Sequence, residues 1–262
     1  MVSIDYVKKE TSRFKRTNTA TLYKDKNDLY KIIERNTWFY KSIISNILYN
    51  YSIHEEVNPQ IILPNGLVTD NYGTEIRGYK CNYIKGQDLS NLAKNLSFEE
   101  KIKLLNSLTE LLKEINNYLI VGDVNLDNCM YDKDLNAYLI DFDLSTKLDE
   151  EPSLMSYYTF TTDKRKDIKS SLSTDKVKMA IIIASVLYSY NFEDCFVYKN
   201  PYSNWDKFLQ YTNNSYFKDY FKTAFHNFNK GTEVSDYLYL PTDYSFEKLI
   251  AEDKKQIRKL IK

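Results

Sequence analysis

The chain has 262 residues, enough for one large domain or two small lobes, and its hydrophobic fraction of 43% is sufficient for a sizeable core. Its 36 basic and 36 acidic residues balance, which argues against nucleic acid or an anionic membrane as a standing partner. The three cysteines and two histidines form neither a disulfide framework nor a metal-ligand pattern. The first residues lack the apolar segment of a signal peptide, and no apolar run is long enough to span a bilayer. We therefore expect a cytoplasmic protein.

The first third of the chain is predicted to be mostly strand. Two β-rich runs, residues 14–23 and 29–33, flank a short polar turn. Apolar residues at helical spacing predict one helix over residues 37–52. Further strands are expected around residues 66–68 and 77–84, followed by a turn at Gly86.

The remainder is predicted to be helical, interrupted by one small hairpin. Residues 97–117 begin with a capping-box pattern, Ser97 with Glu100 three residues later, and continue with leucine and isoleucine on one face. The hairpin is expected between residues 128 and 140. An apolar helix is predicted to begin at Asp175, and an amphipathic helix follows from about residue 245.

This order of elements predicts an α+β fold with two lobes. We expect a small β-rich N-lobe at residues 1–84 and a larger helical C-lobe at residues 85–262. The hinge between them is expected near residues 82–88.

The residues with the clearest chemistry are Asp123, Asn128 and Asp141. Asn128 follows Asp123 by five residues, and Asp141 comes after the predicted hairpin. The hairpin should return Asp141 beside Asn128, facing the same cavity as Asp123. Carboxylate and amide oxygens bind Mg²⁺, and a further carboxylate can accept a proton from an attacking hydroxyl. This set therefore predicts phosphoryl transfer, although Asp123 and Asn128 alone also fit an ordinary turn.

The same segment resembles the catalytic core of the protein-kinase-like superfamily, which includes eukaryotic-type protein kinases and small-molecule kinases of the aminoglycoside and choline kinase type. The resemblance implies a bilobal kinase that uses ATP and Mg²⁺. It implies Asp123 as the catalytic base, and Asn128 and Asp141 as the magnesium ligands.

The resemblance extends to landmarks elsewhere in the chain. Lys31 matches the strand lysine that pairs with the α- and β-phosphates, and Leu29 would then cover the adenine. Backbone groups of the hinge would bind adenine, and they belong to Asn82, Tyr83 and Ile84. Asp175 resembles the aspartate that opens a buried helix and hydrogen-bonds the catalytic loop.

Several positions depart from the family pattern. Residues 17–20 stand where a glycine-rich loop normally covers the phosphates, and the helix at 37–52 has no glutamate to pair with Lys31. Asp143 replaces a glycine. Gly122 replaces the arginine that reads a phosphorylated loop, which predicts that the hydroxyl residues at 156–161 are not an activation switch. Those residues are Ser156, Tyr157, Tyr158, Thr159 and Thr161.

The sequence leaves the acceptor open. A protein Ser/Thr hydroxyl is slightly favoured over a small-molecule hydroxyl, because the C-lobe has no evident large insertion for a small substrate. A different class of protein, a pseudokinase that binds nucleotide and partners without turnover, is the alternative. Retention of Lys31, Asp123, Asn128 and Asp141 together favours the enzyme.

Overall fold

The computed structural model describes residues 1–17, 19–37, 40–150, 170–192, 212–230, 232–234 and 236–260. The strands in this part are β1 Val2–Ser3, β2 Ser12–Arg16, β3 Ala20–Asp25, β4 Asp28–Ile33, β5 Gly66–Thr69, β6 Ile76–Asn82, β7 Gly86–Asp88, β8 Leu119–Ile120, β9 Cys129–Asp132, β10 Ala137–Leu139 and β11 Thr146–Lys147. The α-helices are α1 Ile4–Glu10, α2 Tyr40–Ile53, α3 Phe98–Ile115, α4 Leu172–Tyr188, α5 Ser215–Lys230 and α6 Tyr244–Leu260. The α+β bilobal fold expected from the sequence is confirmed.

The N-lobe is built on a six-stranded sheet in the order β1-β5-β6-β4-β3-β2. β1 runs parallel to β5, and the remaining neighbours are antiparallel. Helix α2 covers one face of the sheet, where Ile43 and Ile47 pack with Ile33 and Cys81 in a buried cluster. Burying these aliphatic side chains is the main force that holds the helix to the sheet.

Helices α3, α4, α5 and α6 all contribute to the C-lobe core. Helix α3 begins with the predicted capping box, in which the Ser97 hydroxyl accepts from the Glu100 amide at 3.3 Å and the Glu100 carboxylate accepts from the Ser97 amide at 2.7 Å. Helix α4 is buried on nearly every side. A helix that is apolar all round lies in the middle of a core, so α4 is the central element of this lobe.

Two backbone connections join the lobes. On one side, strand β7 follows the hinge and pairs with β9, which also pairs with β10. On the other side, the segment before β5 bonds to β10: the Ile62 amide donates to the Leu139 carbonyl at 2.9 Å, and the Leu139 amide donates to the Gln60 carbonyl at 3.1 Å.

Some element boundaries differ from those predicted. Helix α4 begins at Leu172 with Ser171 as its N-cap, so Asp175 lies in the first turn and does not open the helix. Gly86 lies in strand β7 rather than in a turn. A glycine is needed there because an added Cβ would lie 2.3 Å from the Tyr131 carbonyl oxygen. Helix α1 was not predicted, since seven residues with only Val7 buried give too short a pattern.

No helix in the described residues is both long enough and apolar enough to cross a membrane. The hydroxyl residues at 156–161, predicted not to be an activation switch, lie outside the described residues.

Candidate functional site

The loop before β9 places Asp123 between two asparagine side chains. The Asn125 amide donates to Oδ1 of Asp123 at 2.9 Å, and the Asn128 amide donates to Oδ2 at 3.2 Å. The Asn128 amide also reaches the Asp123 carbonyl oxygen at 2.9 Å. The carboxylate is therefore held in one orientation, with Asn128 directly beside it.

Helix α4 supports this loop from the core through Asp175, which is fully buried. Its carboxylate accepts from the amides of Val121 at 2.7 Å and Gly122 at 2.9 Å, as the sequence predicted. Burial raises the pKa of Asp175, while nearby Lys178 and these hydrogen bonds act in the opposite direction. One turn along the helix, the Lys178 ammonium donates to the Gly122 carbonyl. Helix α4 thus binds both an N–H and the C=O of the residue before Asp123.

A further layer connects Asp175 to the C-terminal part of the chain. The side-chain amide of Asn116, at the end of α3, donates to Asp175 at 3.0 Å and to the Leu119 carbonyl at 3.1 Å. The Tyr237 hydroxyl donates to the side-chain oxygen Oδ1 of Asn116 at 2.8 Å. The position of the loop therefore depends on three separate stretches of chain.

Lys31, on β4, belongs to the N-lobe. We call the space between Lys31 and the Asp123 loop the cleft. Its ammonium is 2.6 Å from Oδ1 of Asp141 and 2.8 Å from Oδ2 of Asp143, and only 8% of its side chain is exposed. Burial alone would lower the pKa of Lys31, but the two carboxylates outweigh that effect and hold the pKa above its ordinary value. The lysine is thus a fixed cation in the cleft.

Asp141 connects the two walls. The Ile140 amide, which precedes it, donates to the Asn128 carbonyl at 3.0 Å, so the hairpin does return residue 141 beside residue 128. The backbone of Asp141 is left-handed, with φ +63°, a conformation that aspartate tolerates better than most side chains. Its side chain remains 39% exposed, at the mouth of the cleft.

Asp143 is in a different environment from Asp141, because only 9% of its side chain is exposed. The Tyr79 hydroxyl, on β6, hydrogen-bonds to it. Burial raises the pKa of Asp143; the Lys31 charge opposes this effect and the Asp141 charge adds to it. Burial likewise raises the pKa of Tyr79 well above its usual value, so Tyr79 stays a neutral donor.

Helix α2 approaches this cluster with amides and not with a carboxylate. The Asn46 side chain donates to the Asp143 carbonyl at 2.8 Å, and the buried Asn50 donates to the Phe142 carbonyl at 2.9 Å and to Ser145 Oγ at 3.1 Å. Sequence reasoning missed Asn46, Asn50 and Tyr79. The available signal was Asn50, a polar residue in line with the apolar stripe of a predicted helix.

Two of the residues predicted to hold adenine, Leu29 and Ile84, belong to an apolar cluster of the N-lobe. Leu29, Ile84 and Ile140 pack, partly buried, against the cluster that contains Ala20 and Cys81. Such a rim of apolar side chains beside a polar cluster is typical of small-molecule sites.

The three hinge residues differ in what they offer. The Asn82 side chain is exposed and accepts from Asn65 at 2.9 Å. The Tyr83 amide already donates to the Asn27 carbonyl at 2.7 Å, and its ring lies 3.6 Å from the Lys24 ammonium. Ile84 makes no backbone hydrogen bond within the described part of the chain. Its N–H and C=O are therefore available to a ligand.

The turn between β2 and β3 replaces the expected phosphate loop. The Thr17 hydroxyl donates to the Ala20 carbonyl at 3.1 Å and accepts from the Ala20 amide at 3.0 Å. These bonds close a tight turn, so the threonine hydroxyl is already used within the chain. Asn18 lies outside the described residues.

The donor set of Asn128 and Asp141 fits a magnesium ion that also binds phosphate. Oδ1 of Asn128 and Oδ2 of Asp141 accept no hydrogen bond from any described residue. Mg²⁺ is usually bound through one or two carboxylates together with phosphates and water. Across the described ranges, no group of three or more His, Cys, Asp or Glu could hold a metal ion. The residues therefore fit a shared metal and not one enclosed by protein alone.

Comparison with known proteins gives a match at the level of structure. No protein-family model matches the chain, and no curated protein sequence matches it. Solved structures do match, and one of them is the kinase PK-1 of Cydia pomonella granulovirus. That match has a TM-score of 0.58 at 15% sequence identity, and it covers 96% of this chain and 97% of PK-1. The chain therefore has the fold of a protein-kinase-like protein.

Proposed function

We propose that the protein is a kinase that binds ATP with magnesium and transfers the γ-phosphoryl group to a hydroxyl. One observation carries this proposal, an unbroken chain of contacts across the cleft. The Lys31 ammonium contacts Asp141, the amide before Asp141 bonds to Asn128, and Asn128 bonds to Asp123. These contacts support a site in which a buried cation and three oxygen-bearing side chains act together, the set that phosphoryl transfer requires.

Each of these side chains has a role in the proposal. Asp123 accepts the proton of the attacking hydroxyl, and the amides of Asn125 and Asn128 keep its carboxylate oriented. Asn128 and Asp141 hold magnesium, which when bound neutralises phosphate charge. Lys31 places a positive charge on the phosphates, so catalysis consists of positioning and charge stabilisation.

The nucleotide base is assigned to the hinge. Leu29 covers the adenine, and the backbone of residues 82–84 hydrogen-bonds it, with Ile84 supplying the groups that remain unbonded. The end of β6 at Asn82 and the start of β7 at Gly86 support our proposed lobe boundary between residues 84 and 85.

The acceptor is proposed to be a protein Ser/Thr hydroxyl, with a small-molecule hydroxyl as the alternative. A second candidate function, nucleotide binding without turnover, is favoured by the turn at Thr17, whose hydroxyl bonds within the chain instead of facing phosphate.

Phosphate transfer distinguishes these functions. The purified protein is incubated with radiolabelled ATP and Mg²⁺, with generic proteins in one series and amino alcohols and aminoglycosides in another. We expect transfer, and we expect Asp123→Asn to reduce kcat by about 10²–10⁴-fold, the usual contribution of a general base. The matched control is Asp127→Asn, which removes an exposed carboxylate from the same loop and leaves kcat unchanged.

Two results would contradict the proposal. Transfer by Asp123→Asn at the wild-type rate would remove Asp123 from the mechanism. Nucleotide binding in a thermal-shift assay, without transfer to any acceptor, would support the non-catalytic function instead.

A further inference from the structure

We propose that Asp143 is a positioning residue that holds the Lys31 ammonium in the cleft, in place of the carboxylate that helix α2 lacks. This inference rests on the proposed function, since it concerns how Lys31 is presented to nucleotide. It assigns separate roles to two carboxylates that both contact the lysine.

The two carboxylates differ in exposure. Both lie within 2.8 Å of the ammonium, yet the Asp143 side chain is 9% exposed and the Asp141 side chain is 39% exposed. A buried ion pair is screened much less by water and salt than one at the mouth of a cleft. Asp143 is therefore the partner whose attraction for Lys31 is screened less.

Asp143 is also held in place by its own neighbours. The Tyr79 hydroxyl hydrogen-bonds to it, and Tyr79 is the cross-strand neighbour of Lys31 in the β4–β6 ladder. The Asn46 side chain binds its carbonyl oxygen from helix α2. Its position is thus fixed from the sheet and from the helix. Asp141, in contrast, contacts Lys31 with one oxygen and has its other oxygen unbonded among the described residues.

This difference lets Asp141 exchange partners. A buried ammonium without a counter-charge is strongly unfavourable, because its solvation is lost without compensation. If Asp141 alone neutralised Lys31, its engagement with a metal would leave the lysine unpaired. With Asp143 beside it, Lys31 keeps a counter-charge whichever partner Asp141 takes.

Helix α2 is connected to the site by hydrogen bonds and not by an ion pair. The contacts of α2 with residues 142–145 are neutral amide hydrogen bonds from Asn46 and Asn50. In the described part of the chain, no acidic side chain of α2 forms an ion pair with Lys31. The charge that orients the lysine therefore comes from the segment after β10.

The test measures nucleotide affinity without turnover. The dissociation constant of a non-hydrolysable ATP analogue with Mg²⁺ is measured by calorimetry, alongside KM for ATP and kcat. For Asp143→Asn we expect about 10–100-fold weaker binding, by analogy with the range found when an outer-shell partner of a metal ligand is removed. We expect KM to rise in parallel and kcat to change less. Asp149→Asn, an exposed carboxylate in the same segment, is the matched control and should bind as the wild type does.

A second variant keeps the test valid if Asp143→Asn does not fold. Tyr79→Phe removes the hydroxyl that holds Asp143 while keeping the ring in the core, and we expect several-fold weaker analogue binding. Wild-type affinity in a folded Asp143→Asn, or in Tyr79→Phe when Asp143→Asn is unfolded, would overturn the inference.

The two proposals fail separately. Analogue binding that depends on Asp143, without phosphate transfer by the wild type, supports the positioning role and contradicts the kinase function. If the wild type transfers phosphate and Asp143→Asn does so with an unchanged KM, only the positioning role is contradicted.

Discussion

The two walls of the cleft are held in place by different interactions. The loop that carries Asp123 is fixed by short, buried hydrogen bonds from Asp175 and Lys178 on helix α4. The wall that carries Lys31 is held by charge, because the Lys31 ammonium pairs with two carboxylates. One of these, Asp141, has 39% of its side chain exposed to solvent. Hydrogen bonds of the first kind define one geometry, whereas ion pairs of the second kind can change partner when a ligand arrives. We therefore expect a rigid Asp123 loop and an adaptable lysine wall.

The strongest test of this comparison is Asp175→Ala. The substitution leaves the amides of Val121, Gly122 and Asn116 without their buried acceptor. Each such group costs about 1–3 kcal/mol, so we expect the free energy of unfolding to fall by at least about 3 kcal/mol in urea titrations. Asp175→Asn keeps one acceptor oxygen and should lose less. A loss below about 1 kcal/mol for Asp175→Ala would show that the loop does not depend on this carboxylate.

An intermediate effect is expected from Gly78→Ala, which acts on the lysine wall. An added Cβ would lie 1.9 Å from the Lys31 carbonyl oxygen, so strand β4 has to move. We expect a loss of about 1–3 kcal/mol in unfolding free energy, together with weaker nucleotide binding. Gly66→Ala is the control in the same sheet, since its Cβ would meet only the flexible Lys80 side chain, at 3.3 Å. Equal losses in the two variants would contradict the assignment.

The smallest expected effect concerns Lys101, a buried lysine of α3 that forms no ion pair with any described residue. Burial lowers the pKa of Lys101 below the ordinary value of 10.5. The unfolded chain then binds more protons than the folded one between these two values, so stability rises with pH over that window. We expect Lys101→Met to abolish this rise and to be more stable at neutral pH by less than about 1 kcal/mol. Urea titrations between neutral pH and pH 10.5 measure the effect, and an unchanged slope would contradict it.

The sequence predicted the Asp123 loop better than it predicted the surroundings of Lys31. The spacing of Asp123, Asn128 and Asp141 is local, and one hairpin suffices to bring the three residues together. The bond between Asp175 and the loop was likewise expected. The start of helix α4 was not, because the helix begins at Leu172, three residues before Asp175, with a capping box formed by Ser171 and Thr174.

The partners of Lys31 were not predictable in the same way. Asp141 is 110 residues away in the chain, and its contact with Lys31 depends on how the two lobes close on each other. A missing glutamate on the helix indicated that a partner was absent but did not identify Asp143 as the replacement. The hinge contacts were also not predictable from local sequence, since the Tyr83 amide is bonded to Asn27 in the turn between β3 and β4.

The double attachment between the lobes determines how the cleft can open. One attachment follows Tyr83, whose amide is bonded to Asn27 in the N-lobe, so free rotation of the backbone begins only at Ile84. The other is the pair of amide bonds between residues 60–62 and Leu139. Helix α2 adds further bonds between the lobes, from Asn46 and Asn50 to residues 142–145. A movement that widens the cleft, whether a swing, a twist or a slide, therefore has to stretch or break hydrogen bonds at several points along the boundary between the lobes.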